Sequence, residues 1–243
     1  MMNLLEALAA HPGPVNLKLL AAETRLHPST AHRILNVMVG NRMVDRIEPG
    51  TYRLGMRLLE LGSLVRSRIN VLDEALPFMR ELQRATGETV NLSVRKQDEV
   101  VFIERTAPDN QMMRVVQAAG SRLPLHITAA GKIFLAADGA DQCLEYSGRT
   151  GLPKFTANTL TEPGALVKEI ESARQHGYAF DDEEAEKGVS CAAAGIYGDD
   201  GRLVAGLSVS APSERFSKAW AAEIKQMADR ISRALGFHAA NQS

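Results

Sequence analysis

Cysteine is scarce: the chain of 243 residues has two, Cys143 and Cys191. Their separation gives neither a paired zinc-ligand spacing nor a disulfide framework, which points to a reducing compartment, the cytoplasm. Long hydrophobic runs are missing, and so is the charged, then apolar, then small-residue pattern of a secretory leader, so no membrane attachment is expected. There is no glycine-rich phosphate loop and no GxSxG nucleophile turn. Internal repeats and low-complexity tracts are also lacking. The charge balance is nearly even, at −1 overall. No cofactor and no metal are therefore expected.

The even balance conceals an uneven distribution. Residues 1–70 hold nine lysines and arginines against five acids, which leaves about −5 for the rest of the chain. A basic head on an acidic body suits contact with nucleic acid at one end. Within that head, His27 to Met38 has apolar residues at Ala31, Ile34, Leu35 and Met38, the stripe of a helix with one buried face. Ser29, His32, Arg33 and Asn36 fall on the other face. Ser29 or Thr30 is expected to cap the helix start, and both hydroxyls suit a phosphate. Arg33 offers two donors to guanine, Asn36 can pair with adenine, and His32 is a weaker reader. A shorter helix, Leu17 to Thr24, capped by Asn16, precedes it across a tight turn at Arg25 to Pro28. The pair reads as a helix-turn-helix whose second helix enters a major groove; a helical hairpin with a solvated face is the bland alternative.

Met43 to Ile47 and Thr51 to Leu54 read as short strands about a Pro49-Gly50 turn. A basic hairpin directly after a recognition helix is a wing, from which Arg46 and Arg53 reach phosphate or the minor groove. For Arg53 a plain surface-strand role stays open. A helix over Arg57 to Ile69 links to a second part, and another follows from Val71 to Thr86, ended by Gly87. From Glu88 the period becomes two: strands at Thr89 to Arg95, Glu99 to Arg105 and Met112 to Gln117. A helix then starts near Thr128, a short one lies near Gln142 to Tyr146, and a longer one spans Glu162 to His176. Strands VSCAAAGIY and LVAGLSVS flank an Asp199-Asp200-Gly201 turn, and a final helix is expected over Ser213 to Phe237. The expected class is α+β: a winged head at 1–56, a linker helix at 57–70 and a sheet-and-helix domain at 71–243.

Five motifs occur in order: STAHRIL, TYRLG, LPLHITAAGK, RQHGYAFDDEEAEKGVSC and GLSVSAP. Together they closely resemble the IclR family of bacterial transcriptional regulators. The resemblance implies a winged helix-turn-helix followed by a GAF-like effector-binding domain with a mixed or antiparallel sheet flanked by helices. It implies homodimers, often paired as homotetramers, on palindromic operators in double-stranded DNA, repressing or activating in response to a small molecule. Two departures stand out. Leu4, Leu5 and Leu8 begin a short first helix that stops near His11 to Pro14, and family members usually carry more residues ahead of it, so either the natural start lies upstream or that helix is weakly anchored. Where many members have lysine in LPKST, this chain has Pro28, which removes one phosphate contact.

The resemblance also places the effector pocket. Its matching positions are Thr128, Ala129 and Ala130 at a helix start, then Asp181, Val189 and Cys191, then Ser208 and Ser210. Met112, Val115 and Leu123 match the apolar lining. Free N–H groups at a helix start suit a carboxylate. Strand period puts Cys191 and Ala193 on one face of their strand, and likewise Ser208 and Ser210 on one face of theirs, and the hairpin makes them neighbours. Asp181 would repel a carboxylate beside it and suits a hydroxyl or hydrated carbonyl. Each has a dull alternative: Cys191 as a small hydrophobe, the serines as solvent-facing, Thr128 as an N-cap only, Asp181 to Glu184 as a solvated acidic face, His126 as a satisfied core histidine. A competing function is a thiol enzyme, with Cys191 as nucleophile and His126 as base, or a redox sensor on Cys191.

Overall fold

The computed structural model describes residues 2–66, 70–108 and 119–238. The chain divides into two compact units, Met1–Ile69 and Asn70–Ser243.

In the first unit, α1 (Met2–Ala9), α2 (Leu17–Glu23) and α3 (Pro28–Gly40) surround a core of Leu4, Leu20, Leu35, Met38 and Tyr52. Asn16 caps α2 by accepting from the Leu19 N–H at 2.9 Å. Strands β2 (Val44–Glu48) and β3 (Thr51–Leu54) form the hairpin, with Gly50 at φ +82° in its turn. A two-residue strand, β1 (Val15–Asn16), adds to the other edge of β3. Two residues carry too little period to be read in advance. α4 (Met56–Arg66) starts where Gly55 lies against the Arg42 carbonyl, a contact that any side chain would block.

The second unit is built on six strands: β4 (Thr89–Lys96), β5 (Glu99–Thr106), β6 (Arg122–Pro124), β7 (Tyr178–Asp182), β8 (Val189–Tyr197) and β9 (Leu203–Pro212). Their order is β6-β5-β4-β9-β8-β7, and every pairing is antiparallel. One face packs on α5 (Val71–Thr86) and α9 (Trp220–Ala234), with Met79, Leu82, Ile224 and Ile231 against Val90, Leu92, Leu207 and Val209. The other meets α6 (Ala129–Asp138), α7 (Ala140–Thr150) and α8 (Pro163–His176) through Ile133, Phe134, Tyr146, Leu166 and Ile170. Covering both faces explains why β8 and β9 are buried along nearly their whole length.

Some expectations need correction. The last helix begins at Trp220, not Ser213, because the Arg215 and Phe216 N–H groups turn back to the Pro212 carbonyl. α7 is longer than Gln142 to Tyr146 and ends at Gly151, φ +68°. The segment after Gly177, to which sequence period assigns no element, is an edge strand, β7. The strand expected at Met112 to Gln117 lies outside the described residues. No helix among the described residues is long and apolar enough to cross a membrane.

Candidate functional site

The first unit offers an exposed polar face on α3. His27, not Ser29 or Thr30, is the N-cap residue: its carbonyl accepts from the Thr30 and Ala31 N–H groups at 2.9 and 3.0 Å. Pro28 is the cause, since its fixed φ suits the first helical position and draws the cap back from Ser29 to His27. Ser29 is exposed, with its hydroxyl 2.8 Å from the His27 ring nitrogen; Thr30 is half-buried. His32, Arg33 and Asn36 are exposed, as the period requires. The described residues give Arg33 no ion pair. Arg46 on the wing donates to Asn36 Oδ1 and lies over the Tyr52 ring, 5.6 Å from its centre. Arg53 is held by Asp45, with Nε 3.4 Å from Oδ2. The wing and the recognition helix are thus tied by side chains, which spacing along the chain does not reveal.

The second unit offers a buried polar cavity. Thr128 caps α6 by accepting from the Gly131 N–H at 3.0 Å, leaving the Ala129 and Ala130 N–H groups without intrahelical acceptors. Two glycines let this helix start come close. A Cβ on Gly131 would overlap the Leu125 carbonyl, and one on Gly206 of β9 would sit 3.1 Å from Ala130 Cβ. Beneath lie Asp181, Cys191 and Ser210, directly paired across β7, β8 and β9. Ser208 follows two residues along β9. These residues, with Thr128, Ala129, Ala130 and Phe102, enclose a void of ≈ 10 Å³, room for roughly one water.

Neither serine faces solvent: Ser208 is 3% exposed and Ser210 is 1%. Ser210 Oγ accepts from Cys191 Sγ at 3.0 Å and from Asn91 Nδ2 at 3.1 Å. Nor is Asp181 to Glu184 uniformly a solvated face. Strand alternation exposes Asp182, but Asp181 and Glu184 are buried. Burial pushes the Asp181 carboxyl up to about 7, although it accepts from the Glu184 N–H at 2.8 Å. Glu184 is raised by burial too, but Lys132 opposes this with Nζ 2.5 Å from Oε1. Lys132 also donates to the Phe180 carbonyl at 2.8 Å. This ion pair, Phe102 and Asn91 were not foreseen as parts of the site. A lysine inside AAGK reads as the polar side of a helix until its burial is seen.

Leu123 and Val189 pack against the same apolar cluster without lining the void. Met112 and Val115 lie outside the described residues. His126 is fully buried, its ring nitrogens 2.9 Å from the Tyr146 hydroxyl and 3.0 Å from the Pro153 carbonyl. That leaves no ring nitrogen for Cys191. Burial, with Asp181 beside it, pushes the Cys191 thiol well above its ordinary value, so it stays neutral and a poor nucleophile. The described residues contain no group of three His, Cys, Asp or Glu placed to hold a metal.

Comparison with known proteins identifies the architecture. Residues 1–48 match the IclR helix-turn-helix domain, and residues 64–235 match the bacterial transcriptional regulator IclR C-terminal domain. The chain belongs to the IclR family of bacterial transcriptional regulators. The HTH-type transcriptional repressor AllR of Escherichia coli K12 is 36% identical over 216 residues, covering 87% of this chain and 79% of AllR. The crystal structure of the Agobacterium tumefaciens repressor BlcR aligns with a TM-score of 0.85 at 25% identity, covering 97% of this chain and 95% of BlcR. An IclR homolog from Microbacterium hydrocarbonoxydans complexed with 4-hydroxybenzoate aligns at 0.63 and 28% identity, covering 96% of each chain. Family membership and the neutral, buried Cys191 together disfavour the thiol-enzyme and redox-sensor readings.

Proposed function

We propose that this IclR-family regulator reads its operator with α3 and the β2–β3 wing, and senses a small acid in the cavity of the second unit. Arg33, Asn36 and His32 contact base edges; Ser29, Thr30, Arg46 and Arg53 contact the backbone or minor groove. The acid's carboxylate meets the Ala129 and Ala130 N–H groups, and Ser208 and Ser210 serve its other oxygens. Asp181, raised to about 7 by burial, is about half protonated at pH 7, and in that form it donates to a hydroxyl or carbonyl rather than repelling the ligand. The observation that carries this reading is the burial of Asp181, Cys191, Ser208 and Ser210 against a helix start with unpaired N–H groups. The aromatic acid bound by the Microbacterium relative supports a carboxylate ligand. A void of about one water means that Phe102 or its neighbours must move to admit one.

The protein acts as a homodimer or homotetramer on a palindromic site in the cytoplasm, with the head at 1–56, linker helix at 57–70 and sensor at 71–243. The two ligands are coupled if the acid binds unequally to DNA-competent and DNA-incompetent states. Mobility shift on the gene's own upstream DNA, with and without small carboxylates, tests this. The expected result is salt-sensitive, sequence-selective retardation that an acid shifts in wild type and not in Ser210→Ala. No selective retardation at low salt would overturn the DNA reading. An acid effect untouched by Ser210→Ala would overturn the site.

A further inference from the structure

The polar face of the sheet continues beyond the cavity. On β4, Thr89, Asn91 and Ser93 alternate and are 4%, 1% and 0% exposed. Their partners on β9 are Ser210, Ser208 and Gly206. On its other side Asn91 pairs with Arg105 of β5. Arg105 and Phe102 are three residues apart, which in an unbroken strand sets them on opposite faces. A bulge at Ile103 changes the phase: Leu92 pairs with Glu104, yet Ser93 pairs with Phe102. Phe102 and Arg105 therefore share the cavity side of the sheet. Phe102 is part of the cavity wall.

A single row, Ala193, Ser208, Asn91 and Arg105, thus crosses four strands. Two polar atoms in it are buried without a hydrogen-bond partner: Asn91 Oδ1 and Arg105 Nε. The other end of the Asn91 amide is already tied to Ser210 Oγ. Buried polar atoms left unpaired are rare in folded proteins, and two adjacent ones beside a cavity mark a place for an absent partner. A guanidinium there matches a planar carboxylate, and the Asn91 oxygen matches a hydroxyl or amide donor.

We infer that the row from Ser208 through Asn91 to Arg105 is a second subsite of the effector cavity, which holds the far carboxylate of an elongated acid. This rests on the proposal that the near carboxylate lies at the start of α6. From β9 to β5 is two strand spacings, roughly 9–10 Å, so a ligand chain of roughly six to eight carbons spans the two ends. The bulge and Arg105 then set the length of acid the regulator senses.

Titration calorimetry with butyrate, adipate and suberate on the full-length protein tests the assignment, with melting curves to check that each variant folds. The longer diacids are expected to bind at least about tenfold more tightly than butyrate. Arg105→Gln should remove that advantage and leave butyrate unchanged, with Arg105→Lys restoring part of it. Ser210→Ala should weaken all three. Equal binding of all three acids, unaffected by Arg105→Gln, overturns the second subsite while the acid site stands. Loss of butyrate binding in Arg105→Gln as large as that of suberate also overturns it, by placing Arg105 at the near end. Failure of every acid to bind wild type overturns the acid-sensing proposal and this subsite with it.

Discussion

The recognition helix and the β8–β9 strand pair both carry polar side chains at regular intervals, but the two patterns mean opposite things. On α3 the polar residues His32, Arg33 and Asn36 lie in solvent, ready for a partner that arrives from outside. On β9 the polar residues Ser208 and Ser210 lie inside, because both faces of the sheet are covered by helices. A polar stripe signals a surface only when nothing packs against it. In the head, charge is cheap and serves steering and contact. In the sensor, each charge must be neutralised or paired: Asp181 by holding its proton, Glu184 by Lys132.

That contrast can be broken by substitution, and the largest effect is expected at Lys132. Lys132→Met leaves Glu184 buried without its cation and should destabilise the second unit by about 3–5 kcal/mol. Calorimetric melting would show it; a loss below about 1 kcal/mol would mean that Glu184 is already protonated in the folded state.

Asp181 gives the next effect, and its sign follows from the proton balance. Its folded value is raised from 3.8 to about 7. Between those values the folded protein holds a proton that the unfolded chain has lost. Stability from this group is therefore present at low pH and is lost as pH rises toward 7. Asp181→Asn should remove this dependence, with a relative gain on the order of 3–4 kcal/mol at pH 8 compared with pH 4. Melting temperatures of both proteins across that range provide the check, and parallel curves would contradict a protonated Asp181.

In the head the effects should fall on binding instead. Arg33→Ala is expected to weaken operator binding by about 10- to 100-fold, the worth of one bidentate base contact, with the melting temperature nearly unchanged. Competition against scrambled DNA separates a base reader from a phosphate contact, which would weaken both duplexes alike. The smallest effect is expected at Arg53, whose guanidinium is held by Asp45. Arg53→Ala should cost less than about 1 kcal/mol in stability and, at most, flatten the salt dependence of binding by about one unit. A tenfold loss of affinity would place Arg53 among the principal contacts.

Much of this was readable in advance where one residue decides locally. Gly87 ends α5, Asn16 starts α2 and Thr128 starts α6, each through its own backbone or side-chain geometry. That Cys191 and the two serines are neighbours follows from strand period and a short turn; the register that sets Cys191 opposite Ser210 comes from the structure. The cap of α3 is not legible in the same way: serine and threonine are common caps, but Pro28 takes the first helical position ahead of both. The start of the last helix is not legible either, because Ser213 to Ala219 is compatible with a helix; the Pro212 carbonyl and the packing of Phe216 on Trp220 hold it as a turn.

The sequence determined most of the longer elements, the winged head, the antiparallel hairpin and the family, since each rests on period, turn chemistry and motifs within a few tens of residues. Tertiary structure alone decided which polar residues are buried, that Lys132 faces Glu184 across 52 positions, and that a one-residue bulge brings Arg105 to the cavity side. Burial and strand phase depend on what packs from elsewhere in the chain, and no local pattern records that.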